Sequence, residues 1–274
     1  MIILIVRILG CLFLVLALLL TGAAHARAGA LTERIANFPR WQGLPPVAVA
    51  KGDLIYPGWM AGDWEVTSTL VELVAPLAPE LVTPGFESNR KYLNQPVRFR
   101  IRFIKKKAVQ VASAGGAVFL KLKRDKISED KPLVVADRSF NGLNIARSYL
   151  GESAVIAVKV DPDNPNRQIT LLPEERQLVS TVTLRGSETP KPNLFLATEV
   201  IQQEFRSRAG IYFNQVETTT AYQYAPGSAV PIHASQMTAV YLSPQEPAYF
   251  KALGRPVALY RYELDFSPVS APAR

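Results

Sequence analysis

Few residues in this 274-residue chain could carry out catalysis, and they are widely separated. The chain contains two histidines, His25 and His233, and one cysteine, Cys11. His25 belongs to a predicted signal peptide (residues 1–26) that is removed, so a serine triad would have to use His233. No Gly-x-Ser-x-Gly motif surrounds any serine. The carboxylates are scattered, and neither a phosphate-binding loop nor a clustered set of metal ligands is present. We therefore expect a protein that is not an enzyme.

Two patterns remain that could hold a cofactor or an ion. His233 belongs to a predicted strand, and a barrel with a single histidine could bind haem through it. A surface or hydrogen-bonded histidine is the alternative, and we favour it. The stretch 161–164 contains two aspartates and an asparagine, but its prolines and the lack of a glutamate at loop spacing favour a turn over a calcium loop. We predict no metal and no cofactor, with haem or a pigment as the alternatives.

A basic stripe is the clearest charged feature of the sequence. Between residues 97 and 103, charged and apolar side chains alternate with the period of a strand. The arginines on one face are Arg98, Arg100 and Arg102, and the opposite face carries Val97, Phe99, Ile101 and Phe103. This stripe is either a solvated wall balanced by Glu263 and Asp265 on a neighbouring strand, or a docking surface for anionic lipid or protein. Nucleic acid is not an expected partner, because the aromatic side chains face inward.

Strand patterns dominate the rest of the chain. They occupy 64–70, 97–103, 117–123, 154–160, 168–172, 178–184, 193–205, 211–224, 232–242 and 256–266. The stretch 193–205 is also compatible with a helix, and we favour a strand. One good helix is predicted over 138–150, with Asp137 as its N-cap and Gly151 as its stop. One or two helical turns are predicted over 247–253. Up-and-down antiparallel closure leaves no exposed edge, so we predict a mainly β protein built as an antiparallel barrel with one or two short helices.

Four regions are predicted along the chain. Residues 1–26 read as a secretory signal peptide, with Arg7, an apolar run and a small-x-small end, which leaves no spanning helix after cleavage. Residues 27–57 form an extended, proline-containing arm with a short helix near 31–37, clamped to the barrel by Phe38, Trp41 and Trp59. Residues 58–266 form the barrel, and 267–274 form a flexible tail.

The proline-rich stretch 75–95 follows the first strand and has no clear periodicity. A stretch of this length hanging over a barrel mouth is either a lid or a packed connector. Together with the inward strand faces it supplies the aromatic residues that we predict to contact a ligand. These are Phe86, Tyr92, Phe99, Phe103, Tyr260 and Tyr262.

The first strand begins with Gly62 and Trp64, a Gly-x-Trp step that resembles the start of lipocalin and calycin barrels. The resemblance implies a glycine that lets the backbone turn tightly and a tryptophan that plugs the closed end of a barrel. It also implies a late arginine lying over that tryptophan by a cation–π contact, for which Arg261 is the candidate and Arg255 the second choice. The apolar face of the last strand, however, predicts that Arg261 points outward.

Longer stretches resemble a different, uncharacterised family that is found in cyanobacteria and in plastids. The resemblance is carried by residues 56–64, 75–80, 82–87, 89–97, 241–245 and 255–262. It implies a protein of a phototroph, located in the thylakoid lumen or the periplasm, and it implies no activity.

These observations lead to a ranked set of functional hypotheses. The first is an exported, monomeric lipocalin-like barrel that binds a small apolar molecule such as a pigment, a quinone or a lipid fragment. The alternative is an assembly factor with a filled barrel that binds a complex of the photosynthetic membrane. An enzyme acting on a bound isoprenoid or pigment comes third, since it rests on fold analogy alone.

Overall fold

An 11-stranded antiparallel sheet dominates the computed structural model, which describes residues 29–83, 85–107 and 132–269. The predicted signal peptide, the predicted strand at 117–123 and the last five residues of the predicted tail lie outside the described residues. The strands are β1 (Ala48–Val49), β2 (Gly62–Val74), β3 (Pro96–Lys106), β4 (Leu133–Ala136), β5 (Ala157–Asp161), β6 (Asn164–Leu171), β7 (Gln177–Lys191), β8 (Leu194–Ser207), β9 (Gly210–Tyr224), β10 (Ile232–Leu242) and β11 (Ala258–Pro268).

The described helices are short except for one. They are α1 (Ala30–Ala36), α2 (Phe86–Asn89), α3 (Arg138–Leu150) and α4 (Tyr249–Ala252). Single 3₁₀ turns occupy Gly58–Met60, Arg90–Tyr92 and Glu152–Ala154. The prediction of a mainly β protein with few short helices is confirmed.

The strand order is β4-β3-β2-β11-β10-β9-β8-β7-β6-β5, and β1 pairs separately with β7. Neighbours in the sheet are therefore neighbours in the chain, except where β11 returns to pair with β2. This is the predicted up-and-down antiparallel arrangement. The sheet curls into a half-barrel and does not close completely, because β4 and β5 remain its two edges within the described residues.

Helix α3 lies across the opening that the two edge strands leave. Its N-cap Asp137 accepts a hydrogen bond from the Phe140 backbone N–H at 3.2 Å, and Gly151 follows its last residue, both as predicted. The Asn141 side chain bonds both the N–H (2.7 Å) and the C=O (3.1 Å) of Arg102. Arg102 lies just beyond the last pair of β3 with β4, so the helix side chain bonds backbone groups of β3 that no strand residue pairs with on this side.

The other side of α3 sits closely against the opposite edge of the sheet. A Cβ added at Gly142 would lie 2.8 Å from Gln168 Nε2 and 3.1 Å from Val158 Cγ1. A Cβ here would require the Gln168 side chain and Val158 to shift, so glycine favours the close approach of α3 to β5 and β6. The helix is held on both of its sides, which closes the half-barrel without hydrogen bonds between β4 and β5.

Trp64 lies at one end of the half-barrel interior. Its side chain is buried on the same face of β2 as Val66 and Leu70, as the sequence predicts. The indole N–H donates to the Met60 carbonyl at 2.8 Å, and Gly62 has the positive φ of 129° that the turn into β2 requires. Trp64 thus anchors the 3₁₀ turn to the first long strand.

The N-terminal arm packs on the outside of the sheet. Helix α1 forms where a short helix is predicted, and Trp41 is buried against Met237, Ala239 and Leu259. Arg34 of α1 forms an ion pair with the fully buried Glu217 at 2.6 Å, and Tyr241 donates to the same carboxylate at 2.8 Å. The arm is thereby fixed to β9, β10 and β11 by one apolar and one ionic cluster.

Candidate ligand-binding site

A cavity of about 370 Å³ lies inside the half-barrel, between the sheet and α3. Most of its lining is aromatic or aliphatic, and a few polar side chains complete it. The lining residues are Tyr56, Ser68, Phe99, Ile101, Phe103, Ala136, Asn141, Ile145, Tyr149, Tyr222, Gln236, Thr238, Tyr262, Leu264 and Phe266.

The cavity wall is made by strand faces and by one stripe of the helix. Alternation along β2, β3, β10 and β11 directs every second side chain inward. Asn141, Ile145 and Tyr149 follow each other at four-residue spacing on α3 and therefore share one face of the helix. Ile145 also keeps 37% of its surface exposed, so the cavity approaches solvent beside the helix.

One part of the cavity is a cluster of aromatic rings. Tyr56 lies edge-on to Phe103, with 4.7 Å between the ring centroids, and 6.2 Å from Tyr222. Tyr222 in turn lies edge-on to Phe266 at 6.1 Å. Burial raises the pKa of Tyr222 to about 12 and also raises the pKa of Tyr56, so both phenols are neutral at physiological pH. This end of the cavity is lined by neutral aromatic side chains.

Polar groups concentrate elsewhere in the same cavity. The Ser68 and Tyr149 hydroxyls lie 3.3 Å apart, while Gln236 and Thr238 belong to the inward face of β10. Burial raises the pKa of Tyr149, and it raises that of Tyr262 as well. The lining therefore offers neutral hydrogen-bonding groups and no ionised side chain. A molecule with an apolar body and a neutral polar group matches this arrangement.

Residues 48–270 match the family described as domain of unknown function (DUF6816). The chain belongs to this family. The match starts at β1 and ends just past β11, so the DUF6816 domain contains the whole cavity lining. The prediction of an uncharacterised family is confirmed, while its occurrence in phototrophs stays a prediction. No curated protein and no solved structure matches the chain.

The six aromatic residues predicted to contact a ligand divide into two groups in the DUF6816 domain. Phe99, Phe103 and Tyr262 line the cavity. The other three, Phe86, Tyr92 and Tyr260, belong to an apolar layer beside it. In that layer Phe86 is buried 6.0 Å from the Tyr260 ring, and Asn89 donates to the Tyr260 hydroxyl at 3.1 Å. The segment predicted as a lid or connector therefore packs over one end of the half-barrel.

The lipocalin-like contact between Trp64 and a late arginine is not formed. Arg261 pairs with Glu72 across β2 and β11, with 3.2 Å between their charged atoms, at the opposite end of β2 from Trp64. The strand register places Pro268 opposite Trp64 instead, and Phe266 packs against it. The prediction that Arg261 lies over Trp64 is wrong, because the antiparallel register places the end of β11, and not its middle, beside the start of β2. Arg255 precedes β11 and is therefore even farther from Trp64 than Arg261 is.

His233 is on the outer face of β10, where its Nδ1 lies 2.7 Å from the Asp265 carboxylate. The imidazole is more than half exposed and is absent from the cavity lining, so it cannot bind haem there. The position of His233 therefore gives no support to haem bound inside the half-barrel, and it fits the surface histidine that we favoured. Among the residues that the structure describes, no group of three or more histidine, cysteine or acidic side chains could hold a metal ion.

The basic stripe lies on the outer face of β3, as predicted. Its partners differ from the prediction, because β2 lies between β3 and β11. Arg100 and Arg102 stand opposite Glu65 and Asp63 of β2, and Arg102 also binds Asp137 at 2.7 Å. Glu263 is one strand farther away, where it accepts from Ser235. The stripe is thus balanced by adjacent acids, which fits the solvated-wall interpretation better than a docking surface.

Sequence reasoning missed the contributions of α3, β9 and the arm to the cavity. The spacing of Asn141, Ile145 and Tyr149 was a usable signal, since it predicts one helix face. Tyr56 carried no such signal: its position depends on a backbone bond from its N–H to the Val134 carbonyl at 2.8 Å, which connects the arm to β4. No helix among the described residues has the length and apolar character to cross a membrane.

Proposed function

We propose that this DUF6816 domain binds a small molecule with an apolar ring system and one neutral polar group. The observation that carries the proposal is the cavity of about 370 Å³, lined by aromatic rings at one part and by hydroxyl and amide groups at another. Such volumes are typical of small-molecule sites, which reach from roughly 300 to 1,000 Å³. Pigments, quinones and lipid fragments are the ligand classes that fit this chemistry.

The size of the cavity narrows the ligand class. A volume at the low end of the usual range accommodates a ring-sized head group rather than a complete pigment with its chains. A longer tail would have to leave beside α3, where Ile145 is partly exposed. We therefore favour a quinone or a ring-containing fragment over an intact large pigment.

The cellular setting belongs to the same proposal. The export signal predicted at 1–26 and the resemblance to cyanobacterial and plastid proteins favour the thylakoid lumen or the periplasm of a phototroph. The alternative of an assembly factor with a filled barrel has weaker support, because the interior contains a cavity and the basic stripe is balanced by Asp63, Glu65 and Asp137.

The test is a titration of the purified chain with decyl-plastoquinone, followed by quenching of intrinsic aromatic fluorescence. Thr238→Phe should fill part of the cavity and abolish saturable quenching. Ser235→Phe, on the outer face of the same strand, is the matched control and should leave it unchanged. Melting curves of both variants identify loss of binding caused by unfolding. Equal quenching of the parent and Thr238→Phe would contradict the proposal.

A further inference from the structure

The helical turn α4, between β10 and β11, presents two apolar side chains to solvent. Phe250 is 79% exposed and Leu253 is 76% exposed, the highest values among the large apolar residues that the structure describes. Phe250 belongs to the turn and Leu253 is its C-cap, so both lie in the short connection between β10 and β11. Scattered surface apolar residues are normal, but two large and mostly exposed apolar residues three positions apart are a candidate contact surface.

This turn is firmly attached to the domain. Ala252, between the two exposed residues, is buried in a cluster with Leu77, Leu242 and Val257. The Arg255 N–H donates to the Ala252 carbonyl at 2.9 Å and closes the turn. Phe250 and Leu253 are therefore held at the tip by a packed base.

Leu253 also has an unfavourable backbone conformation. Its φ is 53°, in the left-handed region that glycine adopts readily and that other L-residues rarely occupy. A glycine at this position would relieve the strain, and the leucine side chain makes no compensating burial within the domain. Strain held at an exposed apolar residue points to a role outside the stability of the fold.

Two cations flank the pair. Lys251 is exposed between Phe250 and Leu253, and Arg255 follows, while the nearest acidic residue in the sequence is Glu246, four residues before Phe250. Further exposed apolar residues lie at the same end of the half-barrel. Val82 follows Leu81, which packs against the base of the turn. Ile211 is exposed and precedes Tyr212, whose pKa is raised by burial and by the nearby Glu246, the residue before 247–255.

We propose that this tip, formed by Phe250, Lys251 and Leu253, docks on a lipid surface that carries anionic head groups. Apolar side chains flanked by cations are typical of segments that insert into the membrane interface. The lysine stem can lie along the apolar region while its ammonium group stays among the head groups. A protein partner would need about 800 Å² on each side, which exceeds what a protruding four-residue turn offers.

This docking is independent of the cavity, because none of the three tip residues lines it. It would orient the end of the half-barrel covered by 75–95 toward the membrane. An apolar ligand could then pass between bilayer and cavity over a short distance, but the docking does not require that transfer.

The test places a reporter at the tip of the full-length chain. Phe250→Trp is mixed with vesicles of phosphatidylcholine and phosphatidylglycerol, with and without brominated lipid, and its emission is recorded. Val49→Trp, at a position that is 69% exposed on β1, is the matched control. The parent, which contains Trp41, Trp59 and Trp64, is recorded under the same conditions and its emission is subtracted, so that the difference reports the introduced tryptophan. Binding of the apolar stretch before residue 27 adds the same signal to all three proteins and therefore does not imitate insertion of the tip.

We expect the emission of Phe250→Trp to shift to shorter wavelength and to be quenched by brominated lipid, while Val49→Trp changes little. Adding Leu253→Gly should raise the lipid concentration needed for half-maximal quenching by about tenfold. This is the loss of affinity expected for removal of one apolar side chain. The same change should leave the melting temperature equal or higher. Equal quenching at both tryptophan positions, or no quenching of Phe250→Trp, would overturn the proposal.

Discussion

Trp64 and Phe266 pack edge to face inside the half-barrel, with 6.3 Å between their ring centroids and an interplanar angle of 72°. They belong to β2 and β11, the first and last long strands of the sheet. This contact therefore joins the two ends of the fold, and the chain between them has to curl round to make it.

Trp64→Ala should strongly destabilise the domain. Removal of a large buried aromatic side chain costs about 3–5 kcal/mol, which is a large part of the roughly 5–15 kcal/mol that stabilises a domain. Trp59→Ala is the matched control: Trp59 is half-buried, stacks on Tyr224 at 5.1 Å, and should cost clearly less. Thermal and denaturant unfolding measure both. A Trp64→Ala protein that melts within a degree or two of the parent would contradict this account of the core.

The ion pair between Arg34 and Glu217 should hold the N-terminal arm in place. Arg34→Met leaves the buried Glu217 carboxylate without its cation, and breaking such a pair costs about 3–5 kcal/mol. The double variant Arg34→Met/Glu217→Met should recover part of the loss, because no unpaired charge remains. Arg90→Met, which removes an exposed pair with Glu87, is the control and should have no measurable effect. An additive double variant would show that the two residues do not interact.

Alkaline pH should destabilise the protein over the range above the pKa of an exposed tyrosine. Burial raises the pKa of Tyr222 from 10.0 to about 12, so between these pH values the unfolded chain loses a proton that the folded protein keeps. Stability is then complete below pH 10 and decreases as the pH rises toward 12. Tyr222→Phe should make this decrease less steep in melting experiments followed together with tyrosinate absorbance. An unchanged pH profile in Tyr222→Phe would contradict the assignment.

Asn141 should be essential for the attachment of α3 to the sheet. Asn141→Ala removes two hydrogen bonds and leaves the Arg102 N–H unsatisfied, which costs about 1–3 kcal/mol, while the Arg102 carbonyl still accepts from the Asp137 N–H at 3.0 Å. Hydrogen exchange at the Arg102 amide should accelerate in the variant. Asn144→Ala is the control, since its side chain bonds a carbonyl within its own helix. Equal exchange rates at Arg102 in both variants would argue against a bridging role for Asn141.

Features encoded by neighbouring residues could be predicted from the sequence. The alternation of Val97 to Phe103 gave the inner and outer faces of β3, and Asp137 and Gly151 gave the ends of α3. The start of β2 at Gly62 and Trp64 could likewise be predicted from neighbouring residues. Long-range register could not be predicted in the same way, because no local pattern shows how far β11 runs past its partner. Arg261 was therefore placed near Trp64, whereas it pairs with Glu72.

The residues that line the cavity also divide into those set by local patterns, which could be predicted, and those set by long-range packing, which could not. Phe99, Phe103 and Tyr262 were predicted because their strands alternate clearly. Tyr56 and Tyr222 were missed because their contribution depends on packing between segments that are distant in the chain. The open gap between β4 and β5 was also missed, since the prediction assumed that strands alone would close the sheet. A helix stripe fills that gap, and it supplies Asn141, Ile145 and Tyr149 to the lining.

Mass spectrometry of organic extracts tests the binding proposal most directly. The parent protein, Thr238→Phe and Ser235→Phe are purified from the native host under the same mild conditions and extracted. We expect one ring-containing apolar molecule in near-stoichiometric amount with the parent and with Ser235→Phe, and its loss from Thr238→Phe. A parent protein that carries no such molecule, or an equal amount of it in all three proteins, would contradict a ligand inside the half-barrel.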